Sequence, residues 1–241
     1  HPSIIMWSAG NEIPITETAC FQFMAHLLRY SRSLDDTRLT SCVLEFWTAL
    51  VLPKAFTKEV DILCCNQYLG WYYLSAYNLN LFMDVLYQRS NKLWFITEFG
   101  GGAKYGFHDT TQIPDKYSEE RQSSILGHSI KVFNSKNYVA GWFIWIYRDF
   151  CSHKRLNKFQ EGFNRKGIVS EKNQQKLIAR SMPKLVNQEL ENIRHHKVAN
   201  LILYAVLYPL IRLASIITAL LLTKFSDTGD KYYVRKPESE S

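Results

Sequence analysis

Several short signatures that would declare a function at once are missing from these 241 residues. No Cys-x-x-Cys spacing occurs, and the five cysteines (Cys20, Cys42, Cys64, Cys65, Cys151) are odd in number. Cys42 and the Cys64-Cys65 pair lie inside apolar runs, so the pattern predicts buried free thiols in a reducing compartment and argues against a disulfide framework or a zinc site. The chain has no internal repeat, which excludes solenoid and propeller arrays. Gly100-Gly101-Gly102 follows an apolar run but lacks the spacing and the Lys-Ser/Thr of a phosphate-binding loop, so the usual nucleotide signature is absent too. Neither an initiator Met nor a signal-peptide pattern opens the chain at His1. It enters an apolar run almost at once, which reads as a piece cut from something longer.

What is present is aromatic and locally basic. Phe, Trp and Tyr make up 14% of the chain, with six Trp and fourteen Tyr. That share suits a carbohydrate cleft, where flat rings pack on the C–H faces of sugars, and it suits a large aromatic core equally well. The net charge is +7, and residues 151–200 hold eleven Lys/Arg against four Asp/Glu, an excess equal to that of the whole chain. A local surplus of this kind favours an anionic partner. Nucleic acid is the weakest candidate, because aromatic and basic residues are too sparsely interleaved there; a membrane surface and a carboxylated small molecule stay open.

Short apolar runs alternate with longer helical patterns. Ser3–Trp7, Ser41–Trp47, Asp61–Asn66, Leu93–Thr97 and Val139–Ile146 are rich in β-branched or aromatic residues and predict strands. Between them, Thr16–Ser33, Leu79–Gln88 and Ser118–Phe133 carry apolar residues at helical spacing, with Ser118 as N-cap and Glu119 and Glu120 in the first turn of the last. This alternation predicts parallel β/α units. It fits part of a (β/α)₈ barrel and leaves an open, doubly wound sheet in play. After about Arg194 the character changes: Ala199–Thr223 is nearly continuous apolar sequence broken by Pro209 and Arg212, followed by a polar tail from Ser226 to Ser241. Residues 199–223 are long enough to span a bilayer, although a central Arg costs about 2.5–3.5 kcal/mol on insertion scales. A buried or interfacial helix pair hinged at Pro209 is the other reading.

Two of the strands deliver a carboxylate at their ends. The run His1-Pro2-Ser3-Ile4-Ile5-Met6-Trp7-Ser8-Ala9-Gly10 stops at Asn11-Glu12, and Leu93-Trp94-Phe95-Ile96-Thr97 stops at Glu98 before Phe99-Gly100-Gly101. On a parallel barrel the carboxyl ends of the strands converge on one face, where catalytic residues sit. Two Glu so placed can flank a glycosidic bond. Taken singly, a Glu at a strand end is more often a helix cap or a surface charge.

The surroundings of the pair are more specific than the pair. HPSIIMWSAGNE resembles the acid/base segment of glycoside hydrolase family 2, and ITEFG resembles its nucleophile segment. Asn66-Gln67-Tyr68-Leu69-Gly70-Trp71-Tyr72 looks like the strand and loop between them in the β-glucuronidases of that family, and Ile144-Trp145-Ile146-Tyr147-Arg148-Asp149-Phe150 resembles their last barrel strand. The matches keep family order over roughly residues 1–180. They imply an incomplete (β/α)₈ TIM barrel, about strands four to eight, in residues 1–194, with Glu12 after strand four and Glu98 after strand seven. Residues 195–241, the hydrophobic segment and its tail, are not something the resemblance predicts. Ile13 stands where the family often has Pro, which affects a loop. The first three barrel strands and the β-sandwich domains expected of the family are absent from the sequence given, so a truncated form is expected.

The resemblance also implies roles. Glu98 would attack the anomeric carbon and Glu12 would serve as acid and then base, in a retaining double displacement that needs no metal or cofactor. Asn11 matches a residue that bonds the sugar 2-hydroxyl, and Tyr68 one that orients the nucleophile. Tyr72 and Trp145 match residues lining the sugar site, and packing at the barrel rim competes for both. Asn164 and Lys166, in Phe163-Asn164-Arg165-Lys166-Gly167, resemble the Asn-x-Lys motif that grips a sugar's C6 carboxylate. An ammonium and an amide suit a carboxylate, and a neutral hexose lacks that anchor. The expected substrate is therefore a terminal β-glucuronide, with a galacturonide as alternative because it carries the same carboxylate. A non-catalytic membrane-associated remnant is the rival from another class. The catalytic part is expected in the cytoplasm, without nucleic acid, and homo-oligomerisation of a full-length enzyme stays open.

Overall fold

The computed structural model describes residues 1–187. The segment 195–241, with its candidate membrane span 199–223, lies outside the described residues. Five strands form one parallel sheet in the order β1 (Met6–Asn11), β2 (Leu39–Glu45), β3 (Ile62–Asn66), β4 (Trp94–Phe99) and β5 (Val139–Ile144). Each strand lies beside its predecessor. A doubly wound sheet reverses direction at a switch point, and no reversal occurs here, so the (β/α) barrel order is the one observed. The long crossovers carry α1 (Thr18–Leu34), α3 (Leu79–Ser90) and α4 (Glu119–Asn134), while β2 leads into a single turn, α2 (Phe46–Leu50). Beyond β5 a small antiparallel pair, β6 (Phe150–Cys151) and β7 (Phe163–Asn164), precedes α5 (Leu177–Asn187).

Side chains alternate across the sheet, as the period of two requires. Cys42 and Leu44, Leu63 and Cys65, and Trp94 and Ile96 join the main core, which also takes in Met24 and Leu28 of α1, Phe82, Met83 and Leu86 of α3, and Leu126, Ile130 and Phe133 of α4. Val43, Ile62, Cys64 and Phe95 pack together on the opposite face, with Met6 against them. Strands buried on both faces read as continuous apolar runs, which is why β2 and β3 are plain in the sequence. The three thiols Cys42, Cys64 and Cys65 are free and buried; Cys20 is half-buried and Cys151 exposed. Full burial of a side chain such as Phe133 stabilises by roughly 1.5–3 kcal/mol.

The termini of the elements follow local chemistry. Ser118 Oγ accepts from Arg121 N at 3.1 Å and opens α4, with Glu119 and Glu120 favourably placed at the positive end of the helix dipole. Asn91 ends α3 in the left-handed region at φ +51°. Strand boundaries differ from those expected of the sequence: β5 stops at Ile144 and not Ile146, β3 begins one residue later, and β1, β2 and β4 shift further. The first strand is Met6–Asn11, not Ser3–Trp7: Ile5 is 65% exposed, and the polar stretch Ser8–Asn11 is drawn into the sheet by pairing with Ser41 and Val43. β2 stops at Glu45 because that carboxylate accepts from Trp47 N and Thr48 N, turning Phe46-Trp47 into a helix. β4 runs on to Phe99, so Glu98 lies within the strand and not after it.

Candidate active site

Because all five strands are parallel, their carboxyl ends lie along one rim, and the predicted residues of β1, β3, β4 and β5 collect there. Glu12 follows β1 directly. Its N–H donates to Val43 O of β2 at 2.9 Å, and its φ is +55°. A non-glycine residue enters that left-handed region at a cost of about 1–2 kcal/mol, so neighbouring structure holds Glu12 in place. Both Asn11 and Glu12 are exposed.

Asn66, the last residue of β3, joins the two sides of the rim. Its buried amide Nδ2 lies 2.9 Å from Glu12 Oε1 and 3.1 Å from Asn11 Oδ1, while its Oδ1 accepts from Thr97 Oγ1 at 2.8 Å. Glu12 Oε1 accepts at one end of this amide and the Thr97 hydroxyl donates at the other, so the two fix which way it points. In the sequence, Asn66 only opens the segment 66–72 of the family resemblance, which implies no role for it. Its place at a strand end, like that of Glu98, was the available signal.

Glu98 is half-buried. Its backbone O accepts from Gln67 N at 2.9 Å, and its Oε2 accepts from Tyr68 Oη at 2.7 Å. Burial raises its carboxyl above the ordinary glutamate value, and the negative charge of Glu12 adds to this; Tyr68, Lys166 and Asn66 oppose it. Burial and the Glu98 carboxylate push the Tyr68 phenol far up, so it remains a donor at all working pH values.

Lys166 is buried behind the tyrosines. Its Nζ donates to Tyr72 Oη at 2.6 Å and sits 5.0 Å from the Tyr68 ring centre and 4.7 Å from that of Tyr72. Burial lowers its ammonium, with Tyr72 and the Glu98 charge acting in the other direction. Tyr72 is nearly half exposed. Burial acts to raise its phenol, but Lys166 and then Arg155 outweigh this and bring it below the usual value. Arg155 is thus a second cation here that the sequence reading passed over. Asn164 is buried, and its Oδ1 accepts from Lys166 N at 3.2 Å.

The structure therefore gathers Asn11 and Glu12 on the Asn66 amide and sets Glu98 on the Tyr68 phenol, with Asn66 and Glu98 in register on neighbouring strands, and it joins Tyr72, Lys166 and Asn164 to Tyr68 through the tyrosine rings. Trp145 lies just past β5 with its ring edge-on to Phe150 at 6.3 Å. Its N–H donates to Phe99 O at 2.9 Å. A side chain on Gly100 would come within 2.9 Å of Trp145 O, so that close approach requires glycine. Among the described residues no group of three or more His, Cys, Asp or Glu could hold a metal ion. The site offers two carboxylates in different surroundings, one exposed and one half-buried under a phenol donor, with a buried cation beside the second.

A family model described as glycosyl hydrolases family 2, TIM barrel domain, matches residues 1–190. A β-glucuronidase of Paenibacillus borealis is 27% identical over 188 residues, covering 76% of this chain and 30% of that protein. Among solved structures, β-D-glucuronidase from Dictyoglomus thermophilum superposes with a TM-score of 0.68 at 27% identity, covering 79% of this chain and 33% of its own. A family 2 β-galacturonidase from Eisenbergiella tayi, bound to galacturonate, gives 0.65 at 25% identity over 77% of this chain and 34% of its own. The chain thus spans about a third of the length of the relatives it matches.

Proposed function

This chain belongs to glycosyl hydrolase family 2, and from that premise we propose that its rim of strand ends is the site of a retaining β-glucuronidase. The observation that carries this reading is the buried Lys166 ammonium beside Tyr68, whose phenol in turn holds Glu98. A cation in that position would meet a carboxylate on a sugar whose anomeric carbon faces Glu98. A neutral hexose would leave the ammonium buried with no anionic partner from the ligand.

In the reaction, Glu98 attacks the anomeric carbon and forms a glycosyl ester. The bond to the aglycone breaks as Glu12 gives its proton to the leaving oxygen. Water then attacks the same carbon, Glu12 takes a proton from it, and the ester to Glu98 is cleaved. Two carboxyls about 5–5.5 Å apart serve this double displacement. The half-buried setting of Glu98 suits a nucleophile that must lose its charge on forming the ester, and Tyr68 keeps it oriented. The exposed setting of Glu12 suits a group that exchanges protons with water. Asn66 holds Glu12, and Asn11 would meet the 2-hydroxyl.

A second reading, a β-galacturonidase, has the Eisenbergiella structure in its favour, since the same carboxylate contacts serve both sugars. Hydrolysis of 4-nitrophenyl β-D-glucuronide, galacturonide and glucoside by the purified chain separates the two. The proposal expects turnover of the glucuronide above the galacturonide, none of the glucoside, and loss in Glu98→Gln. Equal rates for the chain and Glu98→Gln would instead support a non-catalytic remnant.

A further inference from the structure

Behind Asn164 and Lys166 lies a buried ion pair that the reaction just described does not use. The side chains of Asp149 and Lys176 are both fully inaccessible. Lys176 Nζ donates to Asp149 Oδ1 at 2.8 Å, to Asp149 Oδ2 at 2.9 Å and to Arg165 O at 3.1 Å. These three acceptors satisfy its three protons. Asp149 Oδ1 also accepts from Gly167 N at 2.8 Å. The pair therefore grips the backbone on both sides of Lys166, at the carbonyl of Arg165 and the N–H of Gly167. A side chain on Gly167 would fall 2.2 Å from Asp149 N, so the segment can approach this closely only as glycine.

The same segment is tied to the loop that follows Glu98. Gln122 of α4 is buried, and its Nε2 donates to Gly167 O at 3.0 Å and to Gly101 O at 2.8 Å. Ala103 N donates to Arg165 O at 2.9 Å. Around the pair, the Arg165 guanidinium lies 3.5 Å from Asp149 and 3.5 Å from Glu161 and bonds Glu171, so two cations meet three anions.

A buried ion pair is a poor way to stabilise a fold, because desolvation commonly cancels the attraction and apolar residues of the same volume serve as well. What it supplies is direction: both of the pair's bonds to backbone, Lys176 Nζ to Arg165 O and Gly167 N to Asp149 Oδ1, fall on one short stretch. We infer that Asp149 and Lys176, with Gln122, are positioning residues for uronate selectivity, holding segment 164–167 at a set distance from the Glu98 loop. Lys166 and Asn164 then meet the C6 carboxylate while the anomeric carbon is in reach of Glu98. This rests on the reading of Lys166 as the uronate contact.

The test measures binding, so it does not depend on turnover. The probes are 4-nitrophenyl 1-thio-β-D-glucuronide and the matching thioglucoside, titrated into the whole chain, with a thermal melt for each variant. The chain should prefer the thioglucuronide, and Lys166→Met should abolish that preference. Lys176→Met, folded by its melt, should lose roughly tenfold in thioglucuronide affinity, the scale expected of a small misplacement at a binding group, with thioglucoside affinity unchanged. Should Lys176→Met fail to fold, Gln122→Leu leaves the ion pair intact and should cost roughly threefold in the same preference. A folded variant with full preference overturns the inference. A parent chain without preference overturns the uronate reading itself, and the inference with it.

Discussion

The two glutamates stand in unlike halves of one rim. Glu98 belongs to β4, between β3 and β5, and is half-buried under Tyr68 with Lys166 behind. Glu12 follows β1, which pairs only with β2 among the described residues; it is exposed and left-handed at φ +55°, and Asn66 holds it from one side. The Glu98 side chain is set among several partners, whereas the Glu12 side chain meets one amide and its backbone is held by Val43 O. The difference matches the tasks proposed for them. A nucleophile and a carboxylate grip must be in place beforehand, whereas an acid/base has to trade protons with water.

Several substitutions would break this contrast or sharpen it. The largest effect is expected from Glu98→Gln, which should lower kcat/KM for an aryl β-glucuronide by roughly 10⁴-fold or more. Glu12→Gln should cost less, about 10²-fold, because a nitrophenolate leaves with little help from an acid; equal losses would erase the distinction between the halves. Lys166→Met should act on binding, raising KM for the glucuronide at least about 30-fold, as removal of one partner of a buried charge pair does, with a smaller change in kcat.

The acidic limb of the kcat/KM profile should follow Glu98. Its carboxyl is raised by burial and by Glu12, so the limb should lie above the ordinary glutamate value of about 4.3. Tyr68 favours the charged form through its hydrogen bond, and Tyr68→Phe should move the limb further up; a downward move would contradict the assignment. The smallest effect is on stability. A carboxyl whose value is raised in the folded state contributes stability that is present below its unfolded value and lost as pH rises through the folded one. Glu98→Gln should therefore melt higher than the parent at pH 7 and no higher at pH 4, as thermal melts at the two pH values would show.

What the sequence disclosed and what it hid divide along physical lines. Strand ends in a parallel sheet share a rim, so Glu12 and Glu98 were visible once the apolar runs were assigned, and the Ser118 cap was equally local. The start of β1 was missed because Ser8–Asn11 enter the sheet through backbone pairing and not through apolar side chains. Asn66 was missed because its partners stand 54 and 55 positions away. Lys176 gave no signal at all, since a lysine beside Gln174-Gln175 reads as a surface charge until the fold buries it against Asp149.

The central claim is that the Glu98 half is a working uronate site in its own right. Incubation with 2-deoxy-2-fluoro-β-D-glucuronyl fluoride tests it most directly, because fluoride leaves without an acid and the fluorine at C2 slows release of the ester. Intact mass followed by peptide mapping should show one fluoroglucuronyl adduct, on Glu98, retained in Glu12→Gln and lost in Glu98→Gln. No adduct, or one on another residue, would contradict the account.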